Sequence, residues 1–518
     1  MRTRWSRLLL MGLLVALCTT AAAQHTLRVA YDADPDSLDP HEQLSGATLQ
    51  LSHLLFDPLL RWKQDRSFEP RLAERWERID PLTTRFHLRP GVKFHSGRLL
   101  TSQDVAWTFA RLQGSPDFKG LFAPFKPVRV IDDHTFELIT HQPYPLVLNL
   151  ATYIFVLDRQ FYQGQDEQGR NKEALVKSGD SFAARNVSGS GPFRLVSRQQ
   201  GVRLELQRFA NHWDRQSPGN VERIVLTPIK EDATRIAALL AGDVDFIAPV
   251  PPADLPRLQR QPAIEVVTMT GTRIITLQLN QQRVPAFADP RVRRAVRLAI
   301  NNVGISEKIM RGFATPAAQL SPTGYPGHDP ALVPRFDLAE ARQLLQQAGH
   351  GQGLKVTMLA PNNRYVNDEQ IAQAVVGMLA KIGIGVELKT VPKAQYWPLF
   401  DQSAADMLML GWQSDTEDSG NFFEFMLMTR DSQNGYGQYN SGHYRNPALD
   451  ALLLQAQTEL DPARRAQLLQ QAERLVHDDA AIIPLHWQNL AWAARRGVRI
   501  DRIVNVMDFP YLGDLVIE

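Results

Sequence analysis

The feature that most constrains this chain is an alternation of short apolar strands with capped helices through its second half. "DPRVRRAVRLAINN" has Asp289 as N-cap and Pro290 at the first helical position, and Val292, Ala295, Val296 and Ala299 form one stripe. "DLAEARQLLQQAG" opens on Asp337 with Glu340 and stops at Gly349. "LKVTML", "GVELKTV" and "ADMLMLGW" read as strands, with "DEQIAQAVVGMLAKIG" as a helix between the first two. Such βαβ-like alternation requires a sheet with helical cover, an α/β class. The first half repeats the theme. "TLRVAYD" is a strand, "TSQDVAWTFARL" a helix opened by Thr101 and Asp104, and "DATRIAALLAGDVDFIAPV" a helix, a Gly242 stop and a buried strand. Two helices beginning at Asn446-Pro447 and Asp461-Pro462 lead into "AAIIPLHW". At 518 residues the chain is too long for one core, so two or more lobes are expected.

The N-terminus reads as an export signal. Arg2, Arg4 and Arg7 precede the apolar run of residues 8–18, too short to span a bilayer, and Ala21 and Ala23 set a cut before Gln24. Leu17 spoils the lipoprotein reading of Cys18, which wants a small residue there. Removing the three arginines takes the formal charge from +2 to −1, so neither nucleic acid nor an anionic membrane is implied as partner. Cys18 is the only cysteine, and a mature chain without thiols suits an oxidising periplasm.

Catalytic and cofactor motifs are missing. There is no G-x-x-x-x-G-K-[ST], G-x-G-x-x-G or H-E-x-x-H, and the 13 histidines are too scattered to suggest metal ligands. "SGSGPF" lacks the order of a nucleophile elbow, and its glycines are expected to permit a tight turn. No cofactor is expected. The chemistry gathers instead in residues 410–423. After the strand that ends at Gly411-Trp412 come Asp415, Glu417 and Asp418, then Phe422 and Phe423. In α/β sheets ligands bind beyond the carboxyl ends of strands, which is where these acids fall. They suit a cation, a metal or acid/base chemistry, and the bland alternative is a solvated turn.

Five stretches resemble the periplasmic peptide- and nickel-type solute-binding proteins of ABC importers over nearly the whole mature chain. They are "DSLDPH" (36–41), "RPGVKFHSGRLLTSQDVAWTF" (89–109), "GSGPFRL" (189–195), "LQLNQQRVPAFADPRVRRAVRLAIN" (277–301) and the helical pair from Asn446. The resemblance implies two α/β lobes joined by two crossover strands. One lobe holds residues 24–273 and 488–518 with an extra subdomain at about 56–185, and the other holds 274–487.

It also implies site roles. Asp415, three residues after Trp412, takes a peptide's α-ammonium, while Glu417 and Asp418 are turn formers or solvated acids. Arg364 in "LAPNNRYVNDEQ" takes the carboxylate, with Tyr365 beside it. Ser45, Gly46 and Ala47, in a loop of the opposing lobe, meet the ligand backbone as in strand addition. Trp397, Trp412, Phe422 and Phe423 are candidates to line side-chain pockets, with core packing the alternative. The chain departs from dipeptide binders at Asp418-Ser419-Gly420-Asn421-Phe422, where they carry Asp-Pro-Asp-Asn-Phe. The implied function is a monomeric periplasmic receptor that presents di- or tripeptides to an inner-membrane ABC permease. A receptor for chelated nickel or another small cationic solute is the alternative within the class. A secreted hydrolase with an acid pair is the alternative outside it.

Overall fold

The computed structural model describes residues 25–176 and 180–518. The expected export signal, residues 1–23 with Cys18, lies outside the described residues.

Two long strands organise the molecule. Ile264–Leu279 and Ile483–Arg495 pair antiparallel along most of their length. On one side of this pair stand Met407–Trp412, Leu354–Pro361 and Ile384–Val391. On the other stand Phe246–Ala248, Thr26–Tyr31, Arg223–Pro228, Arg203–Arg208 and Phe193–Gln199. With Ala314–Pro316, which pairs antiparallel with Ile483–Arg495 off this path, the result is an eleven-stranded mixed sheet whose two halves share the central pair. Thr26–Tyr31 runs parallel to both its neighbours, as does Leu354–Pro361. That arrangement calls for helical cover, and it explains the nearly unbroken apolar runs.

The buried apolar side chains form separate sets. One group runs from Leu27 to Ile264 and is rejoined by Ala491 to Leu515. The other runs from Ile274 to Trp487. The molecule is therefore two-lobed, and both long strands cross from one lobe to the other. The ladder between them is irregular between Thr270 and Ile274, so Gly271, Thr272 and Arg273 fall in the crossing. A Cβ on Gly271 would stand 2.6 Å from the Gln488 carbonyl oxygen, so the backbones approach there as only glycine permits. A four-stranded antiparallel sheet, Ala73–Asp80, Thr83–Leu88, Thr135–Ile139 and Arg129–Asp132, adds a subdomain to the first lobe.

The helices follow their caps. Ser102–Gly114 starts where Asp104 accepts from the Thr101 N–H at 2.9 Å, and it buries Val105, Phe109 and Leu112. Pro290–Ala299 starts at Asp289, Leu338–Gln347 at Asp337, and Pro462–Asp479 at Asp461. Two expectations need correction. Gly189 and Gly191 do not serve a positive-φ turn. Cβ atoms there would lie 2.0 Å from the Leu55 carbonyl oxygen and 2.5 Å from its carbon, so these glycines admit a close backbone contact. The segment around Ser45 is not a loop but the start of a helix, Gly46–Leu55, with Ser45 as N-cap.

Candidate functional site

The strand Met407–Trp412 is buried except at its last residue. Beyond it the chain folds around Ser414. The Asp418 N–H donates to Ser414 Oγ at 3.0 Å, and Ser414 Oγ donates to the Asp418 carbonyl at 2.9 Å. The three acids then part company. Asp418 is buried, caps the helix Ser419–Met426 by accepting from the Gly420 N–H at 2.8 Å, and meets both Arg465 nitrogens at 2.5 and 2.7 Å. Glu417 stands in the left-handed region at φ 53°, half-buried, and accepts a hydrogen bond from Tyr325 Oη. Burial pushes its carboxyl up to about 7, against that hydrogen bond and the nearby Arg66 charge. Neither acid is solvated, which corrects that part of the sequence reading; Glu417 does form the turn. Asp415, also half-buried, has no hydrogen-bond or ion-pair partner among the described residues. Burial pushes it up to about 6, and only the field of Arg273 pulls the other way. Of the three, Asp415 keeps a charge that the protein does not satisfy.

The cationic side is built on the neighbouring strand. After Leu354–Pro361, Asp368 accepts from the N–H groups of Arg364 and Tyr365 at 2.9 and 3.0 Å and holds the turn into the helix Asp368–Ala380. The Arg364 guanidinium lies 5.0 Å from the centre of the Tyr365 ring, and its Nε is buried without a hydrogen-bond partner. Tyr365 Oη donates to the Gly411 carbonyl at 3.2 Å. A Cβ on Gly411 would sit 2.5 Å from Tyr365 Cε1, so glycine is required there. Gly411 thus lets Tyr365 seat against the strand that leads into the acidic turn and tethers the Arg364 turn beside it.

Arg273 was not anticipated. It lies in the irregular crossing, donates to Gln413 Oε1 at 3.1 Å, and stands in the fields of Arg364, Asp415 and Asp508. Burial and the like charge of Arg364 pull it below the usual arginine range. Its sequence signal was Gly271-Thr272-Arg273 interrupting an apolar strand, the mark of a bulge that re-aims a side chain.

The aromatic candidates divide. Trp412 is half-buried, stacks on Phe425 with centroids 5.4 Å apart, and donates Nε1 to Asn421 at 2.8 Å. Trp397 is half-buried against Phe400 and Tyr439. Phe422 and Phe423 are fully buried core residues, and Phe422 packs edge-on to Trp487. Phe422 is therefore part of the core, a correction that follows from its place on the inner face of a helix capped by Asp418.

From the opposing lobe, the side chain of Ser45 accepts from the Thr48 N–H at 3.4 Å. Helical residues cannot add a ligand strand, so Gly46 and Ala47 offer instead first-turn N–H groups that no helix carbonyl can satisfy. A Cβ on Gly46 would meet nothing within 4 Å, so the space before it is open. The lobes also touch. Asn149 Nδ2 donates to the Thr416 carbonyl at 2.8 Å, and the Arg66 guanidinium lies 4.5 Å from the centre of the Tyr325 ring. Among the described residues no group of three His, Cys, Asp or Glu side chains is placed to hold a metal, and no helix is long and apolar enough to cross a membrane.

The sequence model of the bacterial extracellular solute-binding proteins, family 5 middle region, matches residues 67–434. The chain belongs to this family. Among curated relatives it is 28% identical to "Heme-binding protein A" of Haemophilus influenzae, covering 84% of this chain and 82% of that protein. It is 26% identical to the "Dipeptide-binding protein" of Escherichia coli, covering 93% of each. Among solved structures it resembles the periplasmic binding protein DppA of Helicobacter pylori in complex with peptide STSA, with a TM-score of 0.76 at 25% identity over 95% of this chain and 98% of that one. HbpA2 from Haemophilus parasuis gives a TM-score of 0.84 at 23% identity, covering 95% of this chain and 100% of that one.

Proposed function

We propose that this family 5 protein is the periplasmic receptor of an ABC importer and captures di- or tripeptides between its lobes for an inner-membrane permease. The observation that carries this reading is the pairing of two unmet charges on adjoining turns. Among the described residues Asp415 has no partner and Arg364 has an orphaned Nε, and the Gly411–Tyr365 contact holds their two turns side by side. A zwitterion with an ammonium and a carboxylate answers both. A buried ammonium or carboxylate is tolerated only when paired, so a receptor for many peptides must carry fixed counter-charges for the termini they share. The E. coli dipeptide-binding relative and the peptide-bound DppA structure support the same class.

In this reading the receptor is a monomer and transforms nothing. The body up to residue 273, with residue 488 onward, closes on residues 274–487 by bending at the two crossover strands. Mass spectrometry of ligand released from purified protein tests the proposal. Short peptides should be recovered, and calorimetry with them should show one binding site. Recovery of a haem or a chelated metal in stoichiometric amount, with no affinity for free peptides, would overturn it.

A further inference from the structure

In the first lobe, Thr26–Tyr31 and its parallel neighbours Arg223–Pro228 and Phe246–Ala248 end together, and a cavity of about 160 Å³ opens just beyond them. This is the crevice that open α/β sheets offer to ligands. Its walls are apolar, formed by Leu51, Leu54, Leu226, Ala248 and Pro249. Its polar groups are the Tyr31 hydroxyl, the side-chain amide of Gln50, whose Nε2 donates to the Asp508 carbonyl at 2.6 Å, and the carboxyls of half-buried Asp508 and exposed Asp32. Gly46 and Ala47 stand at the same cavity.

Three features of these polar groups suit a cation. Tyr31 is only 7% exposed, and its Oη is buried with no hydrogen-bond partner among the described residues. Native structures rarely leave such a group unanswered. Asp508 uses Oδ1 to accept from Trp492 Nε1 at 3.0 Å, while Oδ2 has no hydrogen-bond partner among the described residues. Burial, with a smaller push from the Asp32 charge, raises Asp508 to about 7 against its hydrogen bond from Trp492. The cations near them are committed elsewhere. Arg235 donates to the carbonyls of Ile229 and Pro249, and Arg273 to Gln413.

We propose that this cavity is a subsite for a side chain with an aliphatic stem and a cationic head, a lysine- or arginine-type residue of the captured ligand. The stem lies along the leucines, as amphipathic side chains do. The head meets Asp508 Oδ2, Asp32 and the lone pairs of Tyr31 Oη. Arg273 stands in the fields of both Asp508 and Asp415. The inference rests on the peptide reading and adds a preference to it.

The test is calorimetric titration with tripeptides of alanine that carry lysine, norleucine or glutamate at each position in turn. Norleucine keeps the stem and removes the charge. At one position lysine should bind about tenfold to a hundredfold more tightly than norleucine, the range of a charge-assisted hydrogen bond. In the Asp32→Asn/Asp508→Asn double variant that ratio should fall to about one. Tyr31→Phe, which removes an orphan hydroxyl without changing shape, should reduce the ratio severalfold and leave folding intact. A ratio near one at every position in the parent, or a parent-like ratio in either variant, overturns the subsite. If none of the tripeptides binds the parent, the peptide reading fails first and the subsite falls with it.

Discussion

Asn149 of the first lobe donates its side-chain amide to the main-chain carbonyl of Thr416 in the second, 2.8 Å away. The acidic turn is therefore the place where the lobes meet as well as a candidate ligand contact. Arg66 reaches the same region from the first lobe, over Tyr325 and into the field of Glu417. If the lobes hinge as proposed, these contacts exist only while they are together and favour the closed state. Asn149→Ala should weaken ligand binding about twofold to tenfold, the worth of one hydrogen bond. Arg66→Gln and Glu417→Gln should each weaken it by a similar factor, and the double variant by less than their product, because both act through one cluster. Affinity by calorimetry, with small-angle scattering to follow closure, checks this. Parent-like affinity in all three single variants would show that the cross-lobe cluster carries no closing energy.

Asp415 and Arg364 make a second, sharper prediction. Removing one partner of a buried ion pair costs about 3–5 kcal/mol, a hundredfold to several thousandfold in affinity. Asp415→Asn should lose that much for a free peptide and far less for its N-acetylated form. Arg364→Gln should show the matching pattern with a C-terminally amidated peptide. Arg273 serves as the control for long-range charge. Arg273→Gln removes a cation near both Asp415 and Arg364, so it should change the affinities for capped and free peptides together. Equal losses for free and acetylated peptide in Asp415→Asn would mean that the acid shapes the turn instead of pairing with an ammonium.

Asp418 belongs to stability. It is buried, it caps a helix, and it is the bidentate partner of buried Arg465. Asp418→Ala strands that guanidinium and removes the cap, so unfolding free energy should drop by about 3–5 kcal/mol. Urea unfolding monitored by circular dichroism checks this. A loss below about 1 kcal/mol, the worth of a surface pair, would contradict the burial argument.

Much of this architecture could be read from local chemistry. Asp289-Pro290, Asp337 and Asp461-Pro462 announce helix starts, and Gly242, at φ 82°, announces a stop. Such signals act within one turn of chain, so they survive any tertiary context. The fates of the three acids did not. Glu417 is settled by Tyr325, 92 residues away in sequence, and Asp418 by Arg465, 47 away. Nothing local distinguishes an acid that meets an arginine from one that meets water. The helix from Gly46 was hidden for another reason. It buries Leu49, Leu51, Leu54 and Leu55 around more than one face, so it lacks the stripe that a surface helix shows. Phe422 looked like a pocket wall because it follows the acids directly, but the Asp418 cap turns it into the core.

The last prediction concerns pH, and its two halves run in opposite directions. Burial raises Asp415 to about 6, above the ordinary carboxyl value of 3.8. The folded protein therefore holds this proton more tightly than the unfolded chain does. By linkage, the stability contributed by protonated Asp415 is fully present below pH 4 or so and is lost as pH rises through about 6. Without ligand, the melting temperature of the parent should fall across that window more steeply than that of Asp415→Asn. The comparison with the variant is necessary because Glu417, Asp508 and Glu473 are also raised. Ligand affinity should move the other way. A peptide α-ammonium stays charged up to about pH 7.7, so it finds its partner only once Asp415 ionises. Affinity for a free peptide should climb as pH rises through about 6 and then level off. The Asp415 contribution to that climb should vanish in Asp415→Asn, and it should be absent for an N-acetylated peptide. Melting curves and titrations at half-unit steps from about pH 4 to 7.5 measure both halves. A free-peptide affinity that is flat or falling over that range in the parent would remove the ammonium from Asp415.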